Sequence, residues 1–274
     1  MGSRTAFVLG GGGLLGAVEV GMLQALFERD IKPDLVLGTS VGALNGLVVA
    51  SDPTTGAVDR LLDLWSSVGE SNEVYSDRTW KQVRRAVRTG THIHSAKPLR
   101  ERLEQEFGDL TFDQLAVPFQ CCAASIERAA EHWFTEGPVV PAVVASAAVP
   151  GLLPPARVGG EHYLDGGIVN SIPVGRAVEL GADRVFVLQV GRVDRPLSAP
   201  RRPWEVARVS FEIARRHRFV REMAALPDGV VAHVLPAAGS ARDDSPTAYR
   251  DTSQVATRIQ AAYDASQTYL DEHV

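Results

Sequence analysis

Apolar runs and amphipathic stretches alternate over residues 5–50 of the chain. Residues 5–9 and 35–37 form continuous apolar runs typical of buried strands, and a glycine follows each run. Residues 17–29 and 41–50 carry apolar side chains at helical spacing. Strands that alternate with helices in this way predict a parallel sheet with helices on its faces, the α/β class.

The same patterning predicts elements as far as the C-terminus. Helices are predicted at 61–65, 98–107, 141–148, 173–180, 204–225 and 252–270, and strands at 118–125, 131–134, 162–165, 184–190 and 230–235. Residues 66–95 are polar and irregular, which leaves two interpretations open, a cap over a site or a variable surface insertion. No repeat or low-complexity linker interrupts the chain, so we expect one domain over residues 1–274.

The composition and charge of the chain narrow the functional classes. Hydrophobic residues make up 45% of the 274 positions and charged residues 22%, which is ordinary for a soluble globular protein. The net charge of −5 gives no support to nucleic-acid binding. Cys121 and Cys122 are neighbours in a predicted strand and point to opposite faces, so we expect free thiols in a reducing compartment.

Neither a secretory leader nor a membrane span is visible in the sequence. Residues 1–10 lack the charged start, long apolar core and cleavage site of a signal peptide. Charged side chains interrupt every longer apolar stretch. We therefore expect a cytoplasmic protein whose contact with a membrane, where it has one, is peripheral. The sequence leaves the oligomeric state open.

A glycine run follows the first predicted strand and contains Gly11, Gly12 and Gly13, with Gly16 three positions on. The spacing fits a dinucleotide-binding loop, but such a loop is paired with an acid at the end of the second strand, and none is present there. A phosphate-binding loop has a lysine after its last glycine, which is also missing. The interpretation that we favour is an oxyanion hole, in which the N–H groups of Gly11, Gly12 and Gly13 stabilise a developing negative charge. A nucleotide-binding protein that uses the same glycine loop stays open as an alternative.

Ser40 lies between Gly38 and Gly42, where the second predicted strand turns into a helix. Such a turn exposes the serine hydroxyl at the N-terminus of the helix, which suits a nucleophile. A serine hydroxyl needs a base at neutral pH. The α/β-hydrolase fold does not fit, because only one strand–helix unit precedes the strand that carries Ser40.

Asp165 is the candidate base, since it ends a predicted strand and is followed by Gly166 and Gly167. The two glycines permit a sharp turn and a close backbone approach. A carboxylate at this strand end can take the proton of Ser40 directly, if the two strand ends are adjacent. None of the seven histidines lies in a glycine-rich or strand-end setting, although His162, three positions before Asp165, stays open as a participant.

These three segments together resemble the patatin-like phospholipases, which are serine acyl hydrolases with a serine–aspartate dyad and no histidine. Residues 9–16 are similar to the oxyanion loop of that family, residues 38–42 to its nucleophile turn and residues 165–167 to its Asp-Gly-Gly motif. Two further blocks, residues 145–151 and 170–173, are also similar to family blocks that flank the aspartate.

The resemblance covers residues 5–190 and implies a fold, a site and an activity. The implied fold is a three-layer α/β/α sandwich with a central, mostly parallel sheet. The implied site has Ser40 as nucleophile, Asp165 as base and the glycine loop as oxyanion hole, with no metal or other cofactor. The implied substrate is a lipid acyl ester, such as a phospholipid or lysophospholipid.

The chain departs from the family pattern at two positions, and it contains one cluster of positive charges that has two possible roles. Leu15 stands where the family usually has a basic residue, and Glu19 where it often has histidine. These departures leave open a non-catalytic, lipid-binding protein, and an acyltransferase that uses the same serine is a second alternative. Nine arginines lie between Arg192 and Arg221 against three acids, which fits either a solvated helix face or a site for anionic head groups.

Overall fold

A computed structural model describes residues 3–70, 92, 94–190, 196–238 and 254–274 of the chain. Most of the predicted irregular segment, residues 71–91 and 93, lies outside the described residues, as do Arg192 and Arg195 of the arginine cluster.

One mixed sheet of eight strands forms the centre of the described structure. The strands are β1 Thr5–Leu9, β2 Leu35–Thr39, β3 Phe119–Ser125, β4 Ala130–Phe134, β5 Ala156–Val158, β6 Glu161–Asp165, β7 Arg184–Leu188 and β8 Val231–Leu235. Their order is β5-β6-β3-β2-β1-β7-β8, with β4 paired to β3. The pairs from β3 through β8 in this order are parallel, whereas β4, β5 and β6 pair antiparallel.

Helices cover both faces of the sheet. They are α1 Val18–Phe27, α2 Val41–Ser51, α3 Thr55–Glu70, α4 Lys97–Phe107, α5 Val139–Ser146, α6 Val174–Glu179, α7 Pro203–Ala224 and α8 Val255–His273. The predicted elements are confirmed, with ends shifted by a few residues. The helix predicted at 141–148 begins earlier, at Val139, because a proline is tolerated in the first turn of a helix. The three-residue strand β5 was not predicted.

The sheet is buried on both faces, which makes the fold a three-layer α/β/α sandwich with a mostly parallel sheet. Alternate residues of β1 belong to different cores: Phe7 and Leu9 pack with α1, α2 and α8, whereas Ala6 and Val8 pack with Phe219 of α7. This burial explains why the parallel strands read as continuous apolar runs rather than as alternating ones. The predicted fold class is confirmed.

Strand β3 brings two distant strand ends together. Its first half pairs parallel with β2, up to Thr39 opposite Cys122. Its second half pairs antiparallel with β6, where Asp165 lies opposite Ala123. The C-terminal ends of β2 and β6 therefore meet next to each other along β3, and the next residue after β2 is Ser40.

Candidate active site

Ser40 lies at the junction of β2 and α2 with backbone torsions φ 57° and ψ −123°. A positive φ strains a residue that carries a side chain, so the surroundings must hold it. The Ser40 N–H donates to Ser146 Oγ at 2.9 Å, and Ser146 Oγ donates to the carbonyl of Cys122 at 2.6 Å. Through these bonds Ser146 of α5 ties the turn to strand β3.

The Ser40 hydroxyl and the Asp165 carboxylate are in direct contact. Ser40 Oγ donates to Asp165 Oδ2 at 2.6 Å, across 125 positions of sequence. The other carboxylate oxygen, Asp165 Oδ1, accepts from the Gly167 N–H at 2.7 Å. These bonds orient the carboxylate towards the serine, as the sequence hypothesis requires.

Burial sets the acidity of Asp165, which is 2% exposed. It raises the pKa of Asp165 from 3.8 to about 6, and the hydrogen bonds from Ser40 and Gly167 only partly offset this effect. A carboxylate with a pKa of about 6 is a stronger base than an ordinary aspartate and is still ionised near neutral pH.

The glycines at the predicted turns lie where two segments touch. At Gly16, Gly38, Gly42 and Gly166 an added Cβ would lie 2.1–2.4 Å from the nearest atom of a neighbouring segment. At Gly42 that atom is the carbonyl oxygen of Leu9, and at Gly166 it is the carbonyl oxygen of Cys122. Only glycine permits these approaches, which bring the start of α2 and the turn after Asp165 against the sheet.

The glycine loop lies beside Ser40. An added Cβ on Gly11 would be 3.4 Å from Ser40 Cβ. The Gly11 N–H donates to the carbonyl of Ser171 at 3.0 Å, so it is already engaged. Among the described residues, the N–H groups of Gly12 and Gly13 meet no hydrogen-bond acceptor. Two of the three predicted oxyanion donors are therefore available to a ligand.

Residues 169–171 join the three predicted motifs, and we call them the linking segment. The Asn170 carbonyl accepts from Thr39 Oγ1, next to Ser40, at 2.8 Å. The Ser171 carbonyl accepts from the glycine loop, as described above, and the N–H of Val169 donates to the Gly166 carbonyl at 3.0 Å. The sequence drew attention to 170–173 by resemblance only, and nothing in it indicated these contacts.

Leu15 and Glu19, the two departures from the family pattern, are both buried next to the glycine loop. Leu15 lies in the short 3-10 helix Gly13–Ala17 and packs into the main core. Glu19 Oε2 accepts from Asn45 Nδ2 at 2.7 Å, and the same nitrogen donates to the Gly16 carbonyl at 3.0 Å. Burial raises the pKa of Glu19 well above its ordinary value, with smaller opposing effects from Asn45, the Gly10 backbone and Arg215.

Two other groups of candidate residues do not contact Ser40 or Asp165. His162 Nδ1 lies 2.7 Å from Glu127 Oε1 in an exposed pair, so the His162 side chain is engaged away from both residues. On α7, Arg215 is buried and Arg218 contacts acids of two elements, so neither side chain lies on a freely solvated face. Arg221 on the same helix is exposed.

The described part of the chain contains neither a cluster of metal-binding side chains nor a helix suited to span a membrane. There, no group of three or more histidine, cysteine, aspartate or glutamate side chains is arranged to hold a metal ion. No helix within these same residues has both the length and the apolar character needed to cross a membrane.

Comparison with known proteins gives a family match and several relatives. Residues 7–178 match the patatin-like phospholipase family. Lysophospholipase NTE1 of Candida glabrata is 32% identical over 197 residues, which are 70% of this chain and 11% of that protein. Neuropathy target esterase sws of Drosophila melanogaster is 29% identical over 195 residues, which are 70% of this chain and 13% of that protein. This chain thus matches only a small part of the length of either relative.

Structural similarity to solved proteins is more distant. The crystal structure of VipD from Legionella pneumophila aligns with 99% of this chain and 67% of that chain, at 15% identity and a TM-score of 0.49.

Proposed function

Because the chain belongs to the patatin-like phospholipase family, we propose that it is a lipid acyl hydrolase in which Ser40 is the nucleophile and Asp165 the base. The observation that carries this proposal is the 2.6 Å hydrogen bond from Ser40 Oγ to Asp165 Oδ2. At that distance the proton passes directly between the two oxygens, with no histidine between them. The buried setting of both groups and the pKa of Asp165 support the same assignment.

In the first step the acyl group of the ester is transferred to Ser40. Ser40 Oγ forms a bond to the ester carbonyl carbon while its proton moves to Asp165 Oδ2. The carbonyl oxygen becomes an oxyanion, and the N–H groups of Gly12 and Gly13 donate to it. When the tetrahedral intermediate collapses, the bond to the alcohol oxygen breaks and the alcohol leaves with the proton from Asp165.

In the second step water releases the acyl group. Asp165 takes a proton from a water molecule, whose oxygen attacks the acyl carbonyl carbon. The same two N–H groups stabilise the second oxyanion. The bond to Ser40 Oγ then breaks, the serine recovers its proton from Asp165, and a fatty acid leaves.

The substrate class we propose is a phospholipid or lysophospholipid. Two of the similar proteins are named for lysophospholipase or esterase activity, which supports an acyl ester substrate. This chain matches only 11–13% of the length of those two proteins, so we propose no particular head group for its substrate.

Substitution of Ser40 tests the proposal. We expect Ser40→Ala to lower fatty-acid release from a panel of phospholipids and lysophospholipids by roughly a thousandfold or more, since only binding and the oxyanion hole remain. Asp165→Asn should have a similar effect, because an amide cannot accept the proton. A fluorophosphonate probe should label wild-type Ser40, as located by mass spectrometry, and leave Ser40→Ala unlabelled.

Ser266→Ala is a matched control for these substitutions. Ser266 is also a buried serine, on α8, and its hydroxyl has no hydrogen-bond partner among the described residues, so its loss should leave activity unchanged and should not lower stability. Retained hydrolysis in Ser40→Ala would contradict the assignment. An unlabelled, inert wild type that still binds lipid would indicate the non-catalytic alternative, and transfer of the acyl group to added alcohols would indicate the acyltransferase.

A further inference from the structure

One face of α7 contacts the loops that form the candidate active site. Phe211, Arg215, Arg218 and Glu222 are spaced by four, three and four residues, so they lie on the same side of the helix. We call these four residues the brace face. The helix that carries it lies outside residues 7–178, the part of the chain that matches the family.

Arg218 contacts the linking segment directly at Val169 and is connected to Asn170 through Glu131. Its Nη1 donates to the Val169 carbonyl at 2.9 Å, and its Nη2 lies 3.0 Å from Glu131 Oε2 of β4. The same oxygen of Glu131 accepts from Asn170 Nδ2 at 3.3 Å. Arg218 Nε donates to Glu222 Oε1 at 2.7 Å, which orients the guanidinium group. One arginine therefore fixes two consecutive residues of the linking segment.

Phe211 contacts the turn that holds the base. An added Cβ on Gly167 would lie 2.5 Å from Phe211 Cζ, so the ring packs directly on that glycine. The Gly167 N–H is the donor to Asp165 Oδ1. The ring thus packs against the residue whose N–H orients the carboxylate.

Arg215 and Glu222 hold two neighbouring segments. Arg215 is 5% exposed, and its Nη2 donates to the carbonyl of Val190. An added Cβ on Gly12 would be 2.3 Å from Val190 Cγ1, so Val190 packs against the glycine loop. Glu222 Oε2 accepts from the N–H of Gly175, in the first turn of α6, at 2.8 Å.

We propose that the brace face holds the glycine loop, the linking segment and the Asp165 turn in their relative positions, with Arg218 as the principal positioning residue. This inference rests on the proposed function, since it assigns α7 a role in the geometry of that reaction. None of the four side chains contacts the reacting oxygens, so each acts through the loop that it holds.

Arg218→Ala tests the proposal, with Arg221→Ala as the matched control on the same helix. The Arg218 side chain is 40% exposed, so its truncation should leave the fold intact. We expect Arg218→Ala to lower kcat about 10-fold to 100-fold with KM changed by less than about twofold, because small displacements of reacting groups cost rate rather than binding. Arg221→Ala, at an exposed position, should match the wild type.

Arg218→Lys separates geometry from charge. Lysine keeps the positive charge, but a single ammonium group cannot reproduce the fork of N–H donors that contacts Val169, Glu131 and Glu222. We therefore expect Arg218→Lys to show most of the loss in kcat. If Arg218→Lys had the same kcat as the wild type, the positive charge alone would be sufficient. That result would contradict the positioning role.

Amide hydrogen exchange gives a readout that does not depend on activity. Peptides that cover residues 165–171 should exchange faster in Arg218→Ala than in the wild type or in Arg221→Ala, since the Val169 carbonyl loses its donor and Glu131, which accepts from the Asn170 side chain, loses its ion pair. Unchanged exchange would overturn the inference. An inert wild type with faster exchange in Arg218→Ala would refute the proposed function and leave the brace contact supported. Faster exchange with unchanged kcat would overturn the role in catalysis.

Phe211→Ala provides a second, independent test through the pH profile. Loss of the ring reduces the burial that raises the pKa of Asp165 and loosens Gly167, whose N–H lowers it, so the acid limb of kcat/KM should move from its wild-type position. The groups that face Asp165 are Ser40 of the turn and Cys122 of β3, and burial raises the pKa of the Cys122 thiol, which stays neutral. An acid limb that does not move would contradict the link from Phe211 to Asp165.

Discussion

Ser40 and Asp165 both lie in environments that cost folding free energy. The positive φ of Ser40 costs about 1–2 kcal/mol relative to an ordinary backbone conformation. Burial of the Asp165 carboxylate disfavours its charged form, as its raised pKa indicates. Local strain and buried charge are tolerated in proteins where a function requires them, and here both fall on the two residues of the proposed dyad.

The pH dependence of catalysis should report the ionisation of Asp165. Since the carboxylate accepts the serine proton in the proposed mechanism, we expect kcat/KM for a soluble acyl ester to fall as the pH drops through about 6. The native pKa lies above the unfolded value, so protonation of Asp165 favours the folded state, and the loss of activity should precede acid unfolding. Circular dichroism over the same range checks the fold, and an acid limb near pH 4, at the ordinary aspartate value, would contradict the assignment.

The strain at Ser40 predicts a difference between two inactive variants. Glycine has no Cβ and adopts φ 57° without steric cost, whereas alanine keeps the strain. We expect the free energy of unfolding of Ser40→Gly to exceed that of Ser40→Ala by about 1 kcal/mol, as measured by urea denaturation. If Ser40→Gly is the less stable of the two, the backbone at this turn is not strained.

At the scale of elements, a buried polar chain links the first three helices behind the glycine loop. Trp65 Nε1 of α3 donates to Asn45 Oδ1 of α2 at 3.2 Å, and Asn45 Nδ2 donates to Glu19 of α1. Among the described residues Glu19 Oε1 has no hydrogen-bond partner. A fully buried carboxyl group in this position is most stable in its neutral form.

Glu19→Gln tests whether that carboxyl group is neutral in the folded protein. Because burial raises the native pKa of Glu19 above its unfolded value, the native state holds the proton more tightly, and the wild type should lose stability as the pH rises through that interval. Glutamine has the same shape and no charge. We expect the stability of Glu19→Gln relative to the wild type to increase as the pH rises above 4.5, the ordinary glutamate value, as measured by urea denaturation.

The outcome for Glu19→Gln also bears on activity. The variant keeps an acceptor for Asn45, so its kcat should remain close to that of the wild type. A stability difference that does not vary with pH would show that Glu19 is charged in the folded state. The wild type and Glu19→Gln both retain Asp165, whose own contribution to the pH dependence cancels in the comparison.

Most helices and strands were predictable from the sequence, and the differences between the predicted and the observed elements have local causes. The strand predicted at 35–37 extends to Thr39 because its pairing with β3 continues to Cys122, which the apolar pattern does not show. Strand β5 was missed because three residues are too few for a periodic pattern. The arginine-rich helix was placed correctly, but amphipathic spacing did not reveal that Arg215 is buried.

At the scale of the whole molecule, the site depends on one mixed sheet. Strand β3 pairs with β2 in parallel along its first half and with β6 in antiparallel orientation along its second half. Because β6 runs antiparallel to β3 and β2 runs parallel to it, the C-terminal end of β6 meets the C-terminal end of β2. An all-parallel sheet would not bring these two ends together. The prediction of a single domain over residues 1–274 stays a prediction.

The elements, the motifs and the residue types of the proposed dyad could be read from the sequence, because strands, helices and glycine turns depend on near neighbours. The tertiary structure was needed to show that Ser40 and Asp165 share a hydrogen bond, since these residues are 125 positions apart and meet through the pairing of β3. It also decided that the Gly11 N–H is engaged and that Arg218 faces the linking segment. Contacts of this kind depend on how distant segments pack, and a local pattern does not encode them.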